Sequence, residues 1–92
     1  VIAEIQVAPS PAGTPEDPHA HVEAAVRVIQ ASGLRHEVGA LGTTIEGEPD
    51  AVWATLRAAH EAMFAAGATS GISHVKVASV DRTMDSLTAR FR

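Results

Sequence analysis

An α+β fold, with four antiparallel strands in one sheet and two helices on one of its faces, is what this 92-residue sequence predicts. Three observations carry the prediction. Four stretches alternate apolar and polar residues with a period of two, two others repeat apolar residues every three or four positions, and Pro- or Gly-bearing segments punctuate them. In order they read strand, helix, strand, strand, helix, strand. This is the split βαβ, or ferredoxin-like βαββαβ, arrangement, whose two right-handed crossovers bring both helices to the same face. A chain this short supports one core, so residues 1–92 are read as a single domain with no linker or internal repeat.

The opening VIAEIQVA, residues 1–8, places Val1, Ala3, Ile5 and Val7 on one side and Ile2, Glu4 and Gln6 on the other. PSPAGTPEDP, residues 9–18, is too rich in Pro and Gly for a regular element and reads as a loop. Asp17 followed by Pro18 supplies a helix cap and a first-turn proline, predicting that the first helix begins there. Val22, Ala25, Val26 and Ile29 then recur at helical spacing, and Gly33 stands where a left-handed residue would end the helix. LRHEVGAL (34–41) and TTIEGE (43–48) are two short strands turning near Gly42. Pro49 opens a second helix whose stripe, Val52, Trp53, Leu56, Ala59, Met63 and Phe64, runs to Gly67. ISHVKVASV (72–80) is the last strand, and DRTMDSLTARFR has the potential for one or two helical turns.

With both helices on one face, alternation assigns Ala3, Ile5, Val7, Val38, Ile45, Val75 and Val77 to the covered side. Glu4, Gln6, Thr44, Glu46, His74 and Lys76 then point to the open side. In this topology the first and third strands are central neighbours and the fourth lies beside the first, so those six polar side chains are expected to cluster. Two carboxylates on adjacent central strands repel unless a cation, Lys76 or a ligand, lies between them. Glu46, a charge in a strand otherwise made of Thr and Ile, thereby marks a candidate site; a solvated face with exposed cross-strand pairs is the alternative.

Composition narrows the chemistry. The formal charge of −4, with seven Lys and Arg among eleven acids, disfavours a nucleic-acid partner. Only Trp53, Phe64 and Phe91 are aromatic, too few for a base-stacking platform within one chain. The lack of Cys excludes disulfides, thiolate catalysis and Cys-ligated metals. No apolar run approaches the roughly 18 residues of a membrane span, and no leader-like stretch opens the chain. A cytoplasmic setting is expected, and a start at Val1 implies a missing initiator Met.

Rival sites are weaker. His19 and His21 diverge by about 160° on a helix and have no third ligand nearby, so no metal is expected. His60 reads as a hydrogen-bonded imidazole at the core edge, and Trp53 as a core or subunit-interface anchor. Gly39, Gly42 and Gly47 suit turns and bulges, and no GxGxxG or GxxxxGK pattern exists. Acylphosphatases share this topology but need an Arg in the first loop, where this chain has none and carries two acids. Catalysis is therefore not expected. An ACT-like regulatory or assembly domain binding another small effector is the alternative.

The segments VIAEIQVAP, GLRHEVGALGTTIEG, HEAMFAAGA and the lysine-bearing HVKVASVDR, in this order and spacing, resemble the small thiamine-binding protein family related to YkoF-like thiamine and hydroxymethylpyrimidine binders. The resemblance implies a ferredoxin-like chain that pairs through its sheets into dimers or tetramers. It further implies binding of thiamine or its pyrimidine moiety as ligand, with no cofactor and no known catalysis. Glu46 and Lys76 match positions of the family pattern, as do Thr43, His60 and Arg82; His21, Gln6 and Ser70-Gly71 depart from it. Thiamine carries a fixed thiazolium charge and an aminopyrimidine that a carboxylate can meet through charge-assisted hydrogen bonds. Glu46 is the expected anchor for one of these, with Glu4, Gln6, Thr44 and His36 as further polar candidates.

Overall fold

The computed structural model describes residues 1–92 and contains β1 (Ile2–Ser10), α1 (Ala20–Ala31), β2 (Arg35–Val38), β3 (Thr43–Glu46), α2 (Pro49–Ala66), β4 (Ser70–Ala78) and α3 (Met84–Thr88). A short 3-10 turn, Ala89–Phe91, follows α3. The strands form one antiparallel sheet in the order β2-β3-β1-β4, which is the ferredoxin-like order.

Packing of α1 and α2 on one face follows from the apolar periodicity. Ala25 and Ile29 of α1 and Val52, Leu56, Ala59 and Met63 of α2 enclose Ala3, Ile5 and Ile45 of the central strands. Ile45, Val52, Ala59 and Met63 are wholly inaccessible to solvent, and each of the larger three, Ile45, Val52 and Met63, stabilises by about 1.5–3 kcal/mol on burial. Gly67 ends α2 at φ 128°, a backbone region L-residues avoid, and its amide bonds back to the Met63 and Phe64 carbonyls. The site a Cβ would take there lies 3.0 Å from His21 Nε2, so the two helices are locked at this corner.

Several expectations need correction, among them the strand bounds, since β2 and β3 end at Val38 and Glu46 and β4 begins at Ser70 and ends at Ala78. β1 does not stop at residue 8 but runs through Pro9 to Ser10. β3 pairs only with Ile2–Ile5, so beyond Ile5 β1 is an edge on that side and a residue without an N–H breaks no ladder. The first helix starts at Ala20, not Pro18: the Thr14 hydroxyl and carbonyl hold the Asp17 amide in a local turn, and His19 is the N-cap. Val38 and Val75 lie on the predicted side but are 48% and 40% exposed, because β2 and β4 are the edges of the sheet and each lacks a neighbouring strand on one flank. Trp53 and Phe64, 56% and 40% exposed, flank the α2 stripe and do not belong to the core.

Candidate ligand site

The strand register sorts the open face into rungs. Glu37, Thr44, Glu4 and Lys76 lie in line across β2, β3, β1 and β4, and Arg35, Glu46, Ile2 and Ala78 form the next line. Gln6 pairs with His74 farther along β1. Glu4, Gln6, Thr44, Glu46 and Lys76 are thus brought to one face, as alternation predicts. Thr43 and His36 are not. Thr43 is paired with Ile5, points under the helices and is 4% exposed. His36 is paired with Ile45 on the covered side, where its Nδ1 donates to the Leu34 carbonyl at 2.9 Å. A register position fixes the face, and both fall one residue out of phase with the open one.

The open face is not bare. The C-terminal segment lies across one end of it and buries Met84 to 6% exposure. Thr83 and Ser86 start α3 with reciprocal hydrogen bonds between side chain and backbone. Three contacts hold the segment to the sheet: Glu46 Oε1 accepts the Met84 N–H at 2.5 Å, Arg35 Nη2 meets Asp85 Oδ1 at 2.9 Å, and Arg92 Nη1 meets Glu37 Oε1 at 3.0 Å. The Arg35 guanidinium is pushed above its ordinary value, first by the hydrogen bond it donates to Asp85 and then by that carboxylate's charge, with Glu37 and Glu46 adding to it. It therefore stays charged at any physiological pH.

Between this segment and the β2–β3 turn lies a cleft of about 410 Å³. Ile2, Glu4 and Thr44 form its floor, Met84, Leu87 and Thr88 one wall, and residues 39–42 the other, with the Glu37–Arg92 pair at its edge. That volume is in the range of small-molecule sites, and the mix of apolar walls with a few polar groups is their usual makeup. The Gly39 amide donates to the Gly42 carbonyl at 2.8 Å, folding the turn tightly. A Cβ on Gly42 would stand 3.1 Å from the Ile5 carbonyl and 3.5 Å from the Glu4 carboxyl carbon, so glycine here lets the turn close against Glu4.

Glu4 forms no salt bridge, and its carboxylate is the free charge of the floor. Glu46, by contrast, spends an oxygen on Met84 and lines a separate depression beside Arg82 and Thr83 on the far side of the segment. Gln6, His36, Thr43, Glu46 and Lys76 do not line the cleft. Met84, Leu87, Thr88, Arg92 and Glu37 do, and they were not anticipated. Their signal in the sequence was Thr83 followed three residues on by Ser86, with Met84, Leu87 and Phe91 on one helical side.

Elsewhere, His60 Nδ1 and Ser73 Oγ are 2.6 Å apart between α2 and β4, as expected for a hydrogen-bonded edge imidazole. His21 is 3% exposed, with Nδ1 donating to the Pro11 carbonyl at 2.7 Å. No group of three or more His, Asp or Glu side chains is arranged to hold a metal. No helix is long and apolar enough to cross a membrane.

Residues 3–91 match the family described as thiamine-binding protein, and the chain belongs to it. A UPF0045 protein of a Synechocystis strain is 46% identical over 48 residues, a match covering 52% of this chain and 40% of that protein's length. Among solved structures, a domain of unknown function, DUF77, from Bacillus cereus is 33% identical, with a TM-score of 0.85 over 99% of this chain and 88% of that one. A provisionally assigned thiamine biosynthesis/salvage protein from Thermotoga maritima has the same fold at 20% identity, with a TM-score of 0.80 over 99% of this chain and 97% of that one.

Proposed function

We propose that this chain is a non-catalytic binding protein for thiamine or its hydroxymethylpyrimidine moiety, with the ligand seated in the cleft between the open sheet face and the C-terminal segment. The observation that carries the reading is the free Glu4 carboxylate on the floor of a cleft of about 410 Å³ with apolar walls. A carboxylate there accepts from the exocyclic amine of an aminopyrimidine and attracts a thiazolium, while the neighbouring Thr44 hydroxyl can donate to a ring nitrogen. Ile2, Met84 and Leu87 offer apolar surface to the rings. Family membership supports the ligand class, and the cleft supports its location.

The absence of a role in catalysis belongs to the same proposal. Its support is the family, which is described as a binding protein. No cofactor enters the reading. Neither does nucleic acid, which a net charge of −4 disfavours, and the setting proposed is the cytoplasm. A homo-oligomer is proposed as well. β4 presents nine residues of free edge, with the exposed Trp53, Phe64, Ile72 and Val75 close to it, and such an edge invites pairing with a second copy.

Calorimetric titration of thiamine, thiamine phosphate and hydroxymethylpyrimidine tests the proposal, with the mass of the protein measured in solution. Thiamine is expected to bind more tightly than its phosphate, whose negative charge Glu4 repels. Absence of heat with all three would refute the reading.

A further inference from the structure

We infer that Glu46 is a positioning residue, whose carboxylate latches the C-terminal segment over the cleft and so shapes the ligand site without touching the ligand. The inference rests on the proposal that the cleft is that site.

The geometry separates Glu46 from the ligand. Its Oε1 accepts the Met84 amide at 2.5 Å, and Glu46 is absent from the cleft lining, to which Met84, Leu87, Thr88 and Arg92 all contribute. The segment that carries those four residues is held lightly. Met84 is its only buried side chain, while Leu87 and Phe91 are 47% and 77% exposed. Two of its tethers are surface ion pairs: the Arg35 and Asp85 side chains are 47% and 75% exposed, those of Arg92 and Glu37 59% and 44%. Pairs of this kind are screened by water and salt and hold little.

The contact from Glu46 is of another class. It is partly buried, short and charge-assisted, and it joins a strand to a backbone group. The segment also needs it, because the amides of Thr83 and Ser86 are satisfied within the segment whereas the Met84 amide has its partner in β3. Met84 is the first residue of α3, so the latch sets where the whole wall begins. Without it, the wall of the cleft depends on one buried methionine and two solvated pairs. The carboxylate that stood out in the sequence thus acts through the segment, and Glu4 is left to meet the ligand.

Two variants decide the matter, because a glutamine carbonyl still accepts the Met84 N–H whereas alanine cannot. Hydrogen exchange at the amides of residues 84–88 and thiamine titration are measured for the wild type, Glu46→Ala and Glu46→Gln. In Glu46→Ala, exchange at 84–88 is expected to accelerate about tenfold or more and thiamine affinity to fall by about the same factor, with β1 and β4 amides unchanged. In Glu46→Gln both are expected to stay within about threefold of wild type, the partner being weaker but present. Equal loss of affinity in the two variants, or exchange at 84–88 that Glu46→Ala leaves unmoved, overturns the inference. Should the wild type fail to bind thiamine, the proposed function falls, and the exchange measurement still decides whether Glu46 is the latch.

Discussion

Replacing Glu4 with glutamine removes a charge from the cleft floor and keeps its shape, which makes the expected loss calculable. Two unit charges about 5 Å apart attract by about 0.8 kcal/mol in water and by about 3 kcal/mol at an effective dielectric of about 20. Glu4 remains solvent-exposed and faces Lys76 in register on β4, so the attraction available to a cationic ligand falls in the lower half of that range. Glu4→Gln is therefore expected to weaken thiamine by about 1.5 kcal/mol, roughly tenfold in Kd. Hydroxymethylpyrimidine, which lacks the thiazolium, loses only the charge assistance of one hydrogen bond and should weaken less. Calorimetry at low salt and at about 0.5 M salt separates the parts, since screening there removes most of the Coulombic share. Unchanged thiamine affinity in Glu4→Gln, or equal losses for the charged and neutral ligands at both salt concentrations, would refute the reasoning.

Three further outcomes concern stability. Met63→Ala opens a cavity at a side chain with no solvent exposure and should cost about 2–5 kcal/mol in urea or guanidinium unfolding. Gly67→Ala forces a Cβ into φ 128° and to 3.0 Å from His21 Nε2, and should destabilise by more than about 1 kcal/mol, read as a fall in Tm. Arg35→Ala removes the exposed pair with Asp85 and an exposed hydrogen bond to the His36 carbonyl, so its cost should stay below about 1 kcal/mol and shrink in high salt.

Element order, sheet topology and most of the core were legible in the sequence because the apolar periods of the two helices and four strands are clean. Ala3, Ile5 and Ile45, and equally Ile29 and Met63, fall where alternation or helical spacing puts them. Periodicity carries no information about where an element meets its neighbours. It therefore overestimated the burial of Val38 and Val75 on the edge strands, and of Trp53 beside the α2 stripe. Strand ends at Pro9 and the start of α1 depended on pairing and on a local Thr14–Asp17 turn, neither of which a period reveals.

For the site, alternation found the open face with Glu4, Thr44, Glu46, Gln6 and Lys76, whereas Thr43, named from the family resemblance, and His36, named as a polar candidate, fall on the covered side. The largest omission was the covering of that face by residues 84–92. Its helix is five residues long and is held by tertiary contacts with Glu46, Arg35 and Glu37 that no local pattern announces. The same contacts change the meaning of Glu46, from an expected ligand anchor to a residue already engaged within the fold.

Whether the ligand lies between the open sheet face and the C-terminal segment is decided by a structure of the protein bound to thiamine. The expected pose has the aminopyrimidine against Glu4 and Thr44 with Met84 and Leu87 over the rings. Thiamine bound instead against Trp53, His60 and Ser73 on the α2–β4 side, with the cleft empty, would contradict it.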